Sequence, residues 1–334
     1  MSAAGVFLCA SLLGANLTEA HARPSASHGC VRAPTSSLTL NIKDKGAKGD
    51  GREDDTAAIQ AAIDEIAGTG GTVLVPKGTY MVDAVGKGGL TLKSNMTLKL
   101  SKGATLKAIP NSSRHYSILT IAGASNTTVV GGTLVGDRHE HAGQTGEWGM
   151  GIRIDRGASH VTISRVVSKN MWGDGFYVDD AKDVRFCSVT ADNNRRQGLS
   201  IIGVDGLFVT DSVFKNTQGT RPSAGIDLEP DKTAQKIKNV RIQNSKFLDN
   251  AHVGILVTGG IAPLAKIEIT NNLFSGNRPI KIKNARSVRG LAICRNRQIT
   301  YQSGLTTWLS PFATRRKVIV AQSDCRDRRL EVYR

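Results

Sequence analysis

The sequence predicts an all-β fold, a single-stranded right-handed parallel β-helix, or solenoid, with an N-terminal capping α-helix. Three observations support this prediction. A glycine-led run recurs five times, each recurrence carries a second apolar run closed by an asparagine, and one amphipathic segment precedes the repeats. Together they describe one unit that is stacked several times and covered at one end.

The recurring run is a glycine followed by apolar residues at its first and third positions. All ten of these positions are apolar in a chain that is 40% hydrophobic, a coincidence of ~1 in 10,000 for independent positions. Such short alternation predicts strands. The five runs are residues 151–155, 175–179, 198–202, 225–229 and 254–258.

A second apolar run follows each glycine-led run and predicts a second strand. An asparagine then closes the unit, because asparagine tolerates left-handed backbone and hydrogen-bonds its own turn. Units of about 24 residues cannot bury their apolar faces alone, so they must stack, and right-handed winding is the expected hand for parallel crossovers. A leucine-rich repeat has a similar period, but its leucine and asparagine signature is missing. The second runs are 161–163, 184–186, 207–209, 240–242 and 267–269, and the asparagines are Asn170, Asn193, Asn216, Asn250 and Asn277.

The amphipathic segment near residues 55–67 predicts the capping helix. Asp54, Asp55 and Thr56 supply helix-capping side chains, and apolar residues then recur at helical spacing before a glycine-rich end. A lone amphipathic helix ahead of a solenoid suits a cap over the exposed apolar end of the stack. The apolar positions are Ile59, Ala62, Ile63 and Ile66.

The chain divides into four predicted segments. Residues 1–22 contain an apolar run from Ala3 to Leu13 and the small-residue pattern Ala20-His21-Ala22, which indicates a signal peptide and a secreted or periplasmic protein. The rest of the sequence offers no segment suited to membrane insertion. The segments are the signal peptide at 1–22, an N-terminal extension at 23–39, the β-helix domain at 40–303 and an irregular C-terminal tail or cap at 304–334.

The charge of the chain indicates an anionic partner. Without residues 1–22 it has 44 basic and 27 acidic residues, a net charge of +17, and a basic surface attracts polyanions. Export, an aromatic content of 5% and the lack of a recognition motif disfavour nucleic acid. An acidic polysaccharide is therefore the predicted partner, and the alternative is that the charge only keeps an exported protein soluble.

Four cysteines remain after the predicted cleavage, and three pairings of them are open. Cys187 lies between Phe186 and Ser188 in a second strand, which favours a buried core thiol. Cys294 and Cys325 are placed to tie the tail to the last coil.

The second and fourth residues after each glycine are expected to point outward, because side chains alternate along a strand. Asp227 and Glu229 then have α-carbons ~6.7 Å apart, and Glu229 lies ~9.6 Å from Asp179, separations close to those that serve inverting glycoside hydrolysis. Asp155 and Asp179 are predicted to stack as like charges, which calcium would bridge. The alternative is that these four carboxylates are ordinary solvated strand residues.

A turn precedes each glycine, and its side chains can frame a groove along the first strands. Trp148, Trp172 and Arg195 stand three residues ahead of successive glycines, a column suited to stacking sugar rings and holding a carboxylate. A polar loop at residues 136–149 breaks the repeat and can reach over the same face. The predicted substrate-binding residues are Trp148, Trp172, Arg196, Arg153 and His139.

Three segments are similar to the opening of the pectate lyase superfamily: 45–51 (KGAKGDG), 54–63 (DDTAAIQAAI) and 70–80 (GGTVLVPKGTY). The resemblance is closest to the branch of rhamnogalacturonase-like proteins, mannuronan epimerase modules and phage tailspikes. With the repeats it covers roughly residues 40 to 300. It implies a β-helix that acts on a polysaccharide.

Lyase or epimerase chemistry on a uronate needs a cation at the carboxylate, a base for the adjacent proton, and an acid. Arg195 or Arg196, Tyr177 and His139 are the candidates for these roles. The Asp-Pro-His arrangement of mannuronan epimerases and the Asn-Thr-Asp segment of polygalacturonase-like hydrolases are both missing from this sequence. The resemblance therefore assigns no residue to a role.

The sequence predicts a secreted carbohydrate-active protein that acts on an acidic, uronate-containing polysaccharide in a groove on the first parallel sheet. The chemistry is of lyase or epimerase type, or it is inverting hydrolysis. The alternative is a non-catalytic glycan-binding or structural β-helix. The predicted catalytic residues are Asp227, Glu229, Asp179, Tyr177 and Arg195, with Asp155 and Asp179 as the calcium ligands.

Overall fold

The computed structural model describes Cys30 and residues 34–284, 287–302 and 316–322, and from residue 300 onward it describes the backbone alone. The predicted signal peptide lies outside these residues. Three parallel sheets run the length of the solenoid, and each strand pairs with its equivalents one coil before and one coil after. The predicted fold class is confirmed. In the part of the chain described here, no helix is long and apolar enough to cross a membrane.

The first sheet contains the glycine-led strands. Its strands are Leu90–Thr91, His115–Ala122, Trp148–Asp155, Asp174–Val178, Gln197–Ile201, Ala224–Leu228, Val253–Thr258 and Arg278–Lys283.

The second sheet contains the predicted second strands. Its strands are Thr39–Asn41, Thr72–Val75, Met96–Leu100, Thr127–Val130, Ala158–Ser164, Ala181–Cys187, Val204–Thr210, Ile237–Gln243, Leu264–Thr270 and Val288–Cys294.

The third sheet completes each coil with short strands. The segment at 304–334, expected to be irregular, contributes its last strand, which pairs antiparallel with the strand before it. The strands are Asp50–Asp54, Gly78–Val82, Ala104–Ala108, Thr133–Val135, Val167–Lys169, Thr190–Asp192, Val213–Lys215, Lys246–Leu248, Leu273–Ser275, Arg297–Gln302 and Arg316–Gln322.

The capping helix spans Thr56–Ile66, after a 3₁₀ turn at Ile42–Lys45. Its four predicted apolar residues have no exposed surface and join the core of the solenoid. Asp54 caps the helix by accepting a hydrogen bond from the Thr56 backbone N–H at 2.9 Å. Asp55 instead accepts hydrogen bonds from the backbone N–H groups of Lys48 and Gly49. The helix therefore covers the apolar end of the stack, as predicted.

The inward residues form one continuous core. The first positions after the glycines align in register and have no exposed surface. This register confirms the predicted inside and outside faces of the first sheet. The aligned residues are Ile152, Phe176, Leu199, Ile226 and Ile255.

The repeated glycines mark the closest approach between coils. A Cβ atom at Gly198 would lie 2.4 Å from the carbonyl oxygen of Gly225, and one at Gly225 would lie 2.6 Å from that of Gly254. Both distances are shorter than real Cβ contacts, and the obstacle is backbone that cannot rotate away. The sequence pattern therefore reflects close packing between coils.

The prediction that an asparagine with left-handed backbone closes each unit is correct for three units. Asn170, Asn193 and Asn216 adopt left-handed backbone, with φ between 54° and 57°. In the next two units Asp249 and Gly276 hold that position, and the asparagine that follows each of them uses its side chain for hydrogen bonds to neighbouring backbone. Asn250, for example, accepts from the Thr217 N–H at 3.2 Å.

The prediction that Cys187 is a free core thiol is wrong. Cys187 is disulfide-bonded to Cys30, 157 residues away in the chain. The bond ties the N-terminal segment to the second sheet, a long-range contact that local patterns do not reveal. Cys294 is also disulfide-bonded, and its predicted partner Cys325 lies outside the described residues.

Candidate functional site

Three columns of side chains face outward from the first sheet. The pre-glycine column consists of the residue before each glycine, and the second-position and fourth-position columns begin three and five residues after it. Strand register aligns the second-position column across seven coils. Its members are Thr120, Arg153, Tyr177, Ser200, Asp227, Leu256 and Lys281.

Two of the four predicted carboxylates are buried although they point outward. Asp227 is 2% exposed and Asp155 is 4% exposed, whereas Asp179 and Glu229 are partly exposed. The alternative that all four are ordinary solvated residues is therefore wrong for the first two. Neighbouring outward side chains bury them, since Gln197 donates to Asp227 and Arg153 pairs with Asp155.

Asp227 lies in a setting that favours its neutral form. Gln197 Nε2 donates to Asp227 Oδ2 at 2.7 Å. Burial, and then the negative charge of Glu229 on the same strand, raise the pKa of Asp227 well above its usual value. A hydrogen bond between the two carboxyl groups adds to this rise. Asp227 therefore holds its proton more tightly than a solvated aspartic acid does.

Arg196 is the cation at the centre of this region. Its Nη1 donates to Asp174 Oδ2 at 3.1 Å, and its Nε lies 3.4 Å from Glu147 Oε2. Ser200 Oγ donates to the same Asp174 oxygen at 2.8 Å. Burial raises the pKa of Asp174 to about 6, although Arg196 opposes the rise. We call Glu147, Asp174, Asp227 and Glu229, together with Arg196, the acid cluster.

Arg153 and Tyr177 precede the acid cluster in the second-position column. Arg153 Nη2 lies 2.6 Å from Asp155 Oδ2, and its guanidinium lies 6.0 Å from the centre of the Tyr177 ring. Burial, and then the charge of Asp179, raise the pKa of Tyr177 above its usual value. The phenol therefore keeps its proton at neutral pH and is poorly suited to act as a base.

The predicted calcium ligands have partners within the protein. Asp155 is paired with Arg153, and Gln235 Nε2 donates to Asp179 Oδ1 at 3.1 Å. Across the described residues, no group of three or more His, Cys, Asp or Glu side chains is arranged to hold a metal ion. The calcium site stays a prediction that rests on two carboxylates.

Trp172 and Arg195 hold the loop at residues 136–148 in place. The Arg195 guanidinium lies 3.8 Å from the centre of the Trp172 ring, and its Nη1 donates to the carbonyl oxygens of Gly146 and Trp172. His141 stacks on the same ring at 4.0 Å. The two predicted residues therefore come together, but their principal contacts are with the loop.

A buried polar network lies beneath the same loop. His141 Nδ1 is 2.7 Å from Asp137 Oδ2, and the Tyr116 hydroxyl donates to the other oxygen of Asp137. His139 lies outside this network, where it is exposed and 3.2 Å from Asn193 Nδ2. The loop histidine with buried contacts is thus His141, two residues after the predicted one.

An open groove of about 360 Å³ lies on the first sheet before the acid cluster. Trp148 stacks on His115 at 4.4 Å along its wall, and Arg153 and Tyr177 line it at the side of the acid cluster. Aromatic faces and a guanidinium are groups that bind sugars and their carboxylates. A chain lying along the columns would pass from this groove over the acid cluster.

Sequence reasoning missed several members of the site. Asp174 and Gln197 belong to the pre-glycine column, and Ser200 belongs to the second-position column. The residue before each glycine lies three positions before the second-position residue, so strict alternation predicts an inward side chain there and does not identify the first two. The contacts of Tyr116, Asp137 and His141 depend on the loop conformation and leave no comparable signal in the sequence.

Comparisons with known proteins relate the chain to a family. The family model described as rhamnogalacturonase A/epimerase, pectate lyase-like, matches residues 39–221, more than half of the chain. The Bacillus subtilis uncharacterized protein YclG is 31% identical over 272 residues, which cover 71% of this chain and 46% of that protein. The Azotobacter vinelandii mannuronan C5-epimerase AlgE4 is 36% identical over 194 residues, which cover 54% of this chain and 34% of that protein. The chain thus spans less than half the length of these relatives.

Among solved structures, the Streptococcus pneumoniae surface protein and adhesin PfbA shares the fold. Its TM-score is 0.61 at 19% identity, with 78% of this chain and 77% of that chain covered.

Proposed function

The chain belongs to the rhamnogalacturonase A/epimerase family of pectate lyase-like proteins, and on this basis we propose that it acts on an acidic, uronate-containing polysaccharide. The substrate lies along the outer face of the first sheet. A relative named for its action on mannuronan, a polymer of a uronic acid, supports this substrate class. The observation that carries the proposal is the buried carboxyl of Asp227 beside the groove, whose pKa is raised well above its usual value by burial and then by the charge of Glu229.

The reaction we propose is glycosidic bond hydrolysis with inversion. The Asp227–Glu229 pair is too close to admit a water molecule between its members, so it acts as one acid. Glu229 is the partly exposed member, and it donates the proton to the leaving oxygen as the glycosidic bond breaks. That proton comes from Asp227, whose pKa is raised by burial and then by the charge of Glu229, and it passes to Glu229 through the hydrogen bond between the two carboxyl groups.

Asp179 is the base in this proposal. Backbone hydrogen bonds align Asp179, Ile202 and Glu229 on successive coils, so Asp179 lies two strand spacings, ~9.6 Å, from Glu229. This separation is close to the upper end of the range for inverting hydrolases. Asp179 takes a proton from water as the water oxygen bonds to the anomeric carbon, and Gln235 fixes the orientation of its carboxylate.

Hydrolysis fits the contacts better than elimination or epimerisation. Those reactions need a free cation at the uronate carboxylate and a base beside it. Arg196 is held by two carboxylates, Arg195 stacks on Trp172, and Tyr177 keeps its proton.

We further propose that the protein is exported. The predicted signal peptide at 1–22 supports this, and so does the Cys30–Cys187 disulfide. Such bonds persist in oxidising compartments and are rare in the cytosol.

The test uses polygalacturonate and polymannuronate as substrates for the wild type, Asp227→Asn and Glu229→Gln. The wild type should release new reducing ends without the ultraviolet absorbance of unsaturated uronates. Each variant should lower turnover by on the order of a hundredfold or more, because the acid is lost. Glu268→Gln, on the second sheet, is the matched control and should retain full turnover. Ultraviolet absorbance from the products would show a lyase instead, and binding without turnover would leave only a glycan-binding role.

A further inference from the structure

All three outward columns change from carboxyl to cation within two or four coils. The pre-glycine column passes from Asp174 to Arg278, and the second-position column passes from Asp227 to Lys281. The fourth-position column reaches Lys283 two coils beyond Glu229. Cations therefore occupy the same lines as the acid cluster, nearer the C-terminal end of the solenoid.

The residues between the two charged regions are apolar. Ala224, Val253 and Leu256 face outward, have no exposed surface and form a cluster separate from the main core. They occupy the pre-glycine and second-position columns between the carboxyls and the cations. This short apolar stretch separates two regions of opposite charge on one continuous face.

Arg221, Arg278, Lys281 and Lys283 surround His252, and we call these five residues the cation patch. None of the four cations forms an ion pair with any residue that the structure describes. Burial, and then the charges of the four cations, lower the pKa of His252, which is therefore neutral at physiological pH. The positive charge of the patch is thus available to an external anion.

We propose that the cation patch binds a carboxylate of the polysaccharide, two coils from the acid cluster. This inference rests on the proposed function and adds where the acidic sugar is recognised. Lysine and arginine bind carboxylates through charge-assisted hydrogen bonds. The acid cluster repels a uronate carboxylate, so the charge that selects an acidic chain has to lie elsewhere on the same face.

This arrangement separates recognition from bond cleavage. Lys281 lies two strand spacings, ~9.6 Å, from Asp227, so the recognised uronate is not the sugar whose bond is cleaved. A ligand has to span that distance to gain from the patch. Shorter oligomers should therefore lose the preference for free carboxylates.

The experiment compares the wild type with Lys281→Gln/Lys283→Gln in binding and turnover. The probes are oligogalacturonate and oligomannuronate, each with free carboxylates and as its methyl ester. The variant should bind the free carboxylate forms at least tenfold more weakly and raise KM with little change in kcat. The methyl esters should bind both proteins equally. Lys169→Gln/Lys246→Gln, on the third sheet, removes the same net charge and should stay within twofold of the wild type.

The two proposals fail in different ways. If the wild type binds free and methyl-esterified oligomers equally, the proposed acidic substrate is wrong, and the inference about the patch is wrong with it. If the wild type prefers the free carboxylates and the Lys281→Gln/Lys283→Gln variant keeps that preference in full, only the role of the patch is wrong. If the third-sheet control Lys169→Gln/Lys246→Gln loses the same affinity for the free carboxylate oligomers, the effect comes from net charge. That result would also contradict the proposed role of the patch.

Discussion

Asp174 lies on the outer face of the first sheet, yet it has no exposed surface. Ser200 and Arg196 both donate to one of its carboxylate oxygens, and its other oxygen has no hydrogen-bond partner among the described residues. Burial raises its pKa from 3.8 to about 6. The folded state therefore binds the proton of Asp174 more tightly than the unfolded chain does.

The sign of this shift predicts a pH dependence of stability. Protonated Asp174 favours the folded state, so its stabilising effect is complete below pH ~4 and is lost as the pH rises through about 6. Relative to Asp174→Asn, the wild type should lose ~2 kcal/mol of unfolding free energy between pH 4 and pH 7. Urea unfolding of both proteins at several pH values measures the difference. Parallel pH profiles for the two proteins would contradict the burial of this charge.

Each glycine-led strand is an element whose position depends on the next coil. The backbone at Gly198 approaches the carbonyl of Gly225, and the phenylalanines Phe214, Phe247 and Phe274 stack at ring-centre distances of 5.3 Å and 4.9 Å behind these strands. Glycine allows the backbones to approach, and the aromatic stack fills the space behind them. The first sheet can therefore stay flat enough for its outward columns to align.

Gly198→Ala tests this packing. Its Cβ would lie 2.4 Å from a carbonyl oxygen, so the variant should lower the free energy of unfolding by ~3 kcal/mol or more, at the upper end for overpacking. Gly157→Ala is the control, because its Cβ would meet nothing within 4 Å and only its φ of 79° is unfavourable. Gly157→Ala should lower the free energy of unfolding by about 1 kcal/mol. Equal losses in denaturant titrations of the two variants would mean that the coils can move apart.

The molecule as a whole is basic, with a net charge of +16, although its candidate site contains an acid cluster. Long-range attraction can bring a polyanion to the surface, and the cation patch can then hold one of its carboxylates beyond the acid cluster. Binding and chemistry thus use opposite charges on one sheet.

Salt should therefore affect acidic and neutral ligands differently. Between 0.1 M and 1 M NaCl the screening length falls from ~10 Å to ~3 Å. The Kd for oligogalacturonate should rise tenfold or more over that range, whereas the Kd for its methyl ester should change little. Isothermal titration at several salt concentrations checks this. A salt response shared by both ligands would show that charge does not select the substrate.

The sequence alone determined the coil, its register and the outward position of Asp227, Glu229 and Asp179. These features follow from a period of two along each strand and a near-constant repeat length, both of which are local properties of the chain. The family resemblance was also visible in the sequence, because the cap helix and the strand after it have a distinctive composition.

Only the tertiary structure decided how those residues behave. The pKa of Asp227 is raised because it is buried beside Gln197, one coil earlier, and Glu229. Trp172 contacts the loop through His141, and Arg195 contacts it through the carbonyl of Gly146. Cys187 pairs with a cysteine 157 residues away. Burial, pKa and disulfide pairing depend on contacts between coils and loops, and the spacing of residues within one coil contains no information about them.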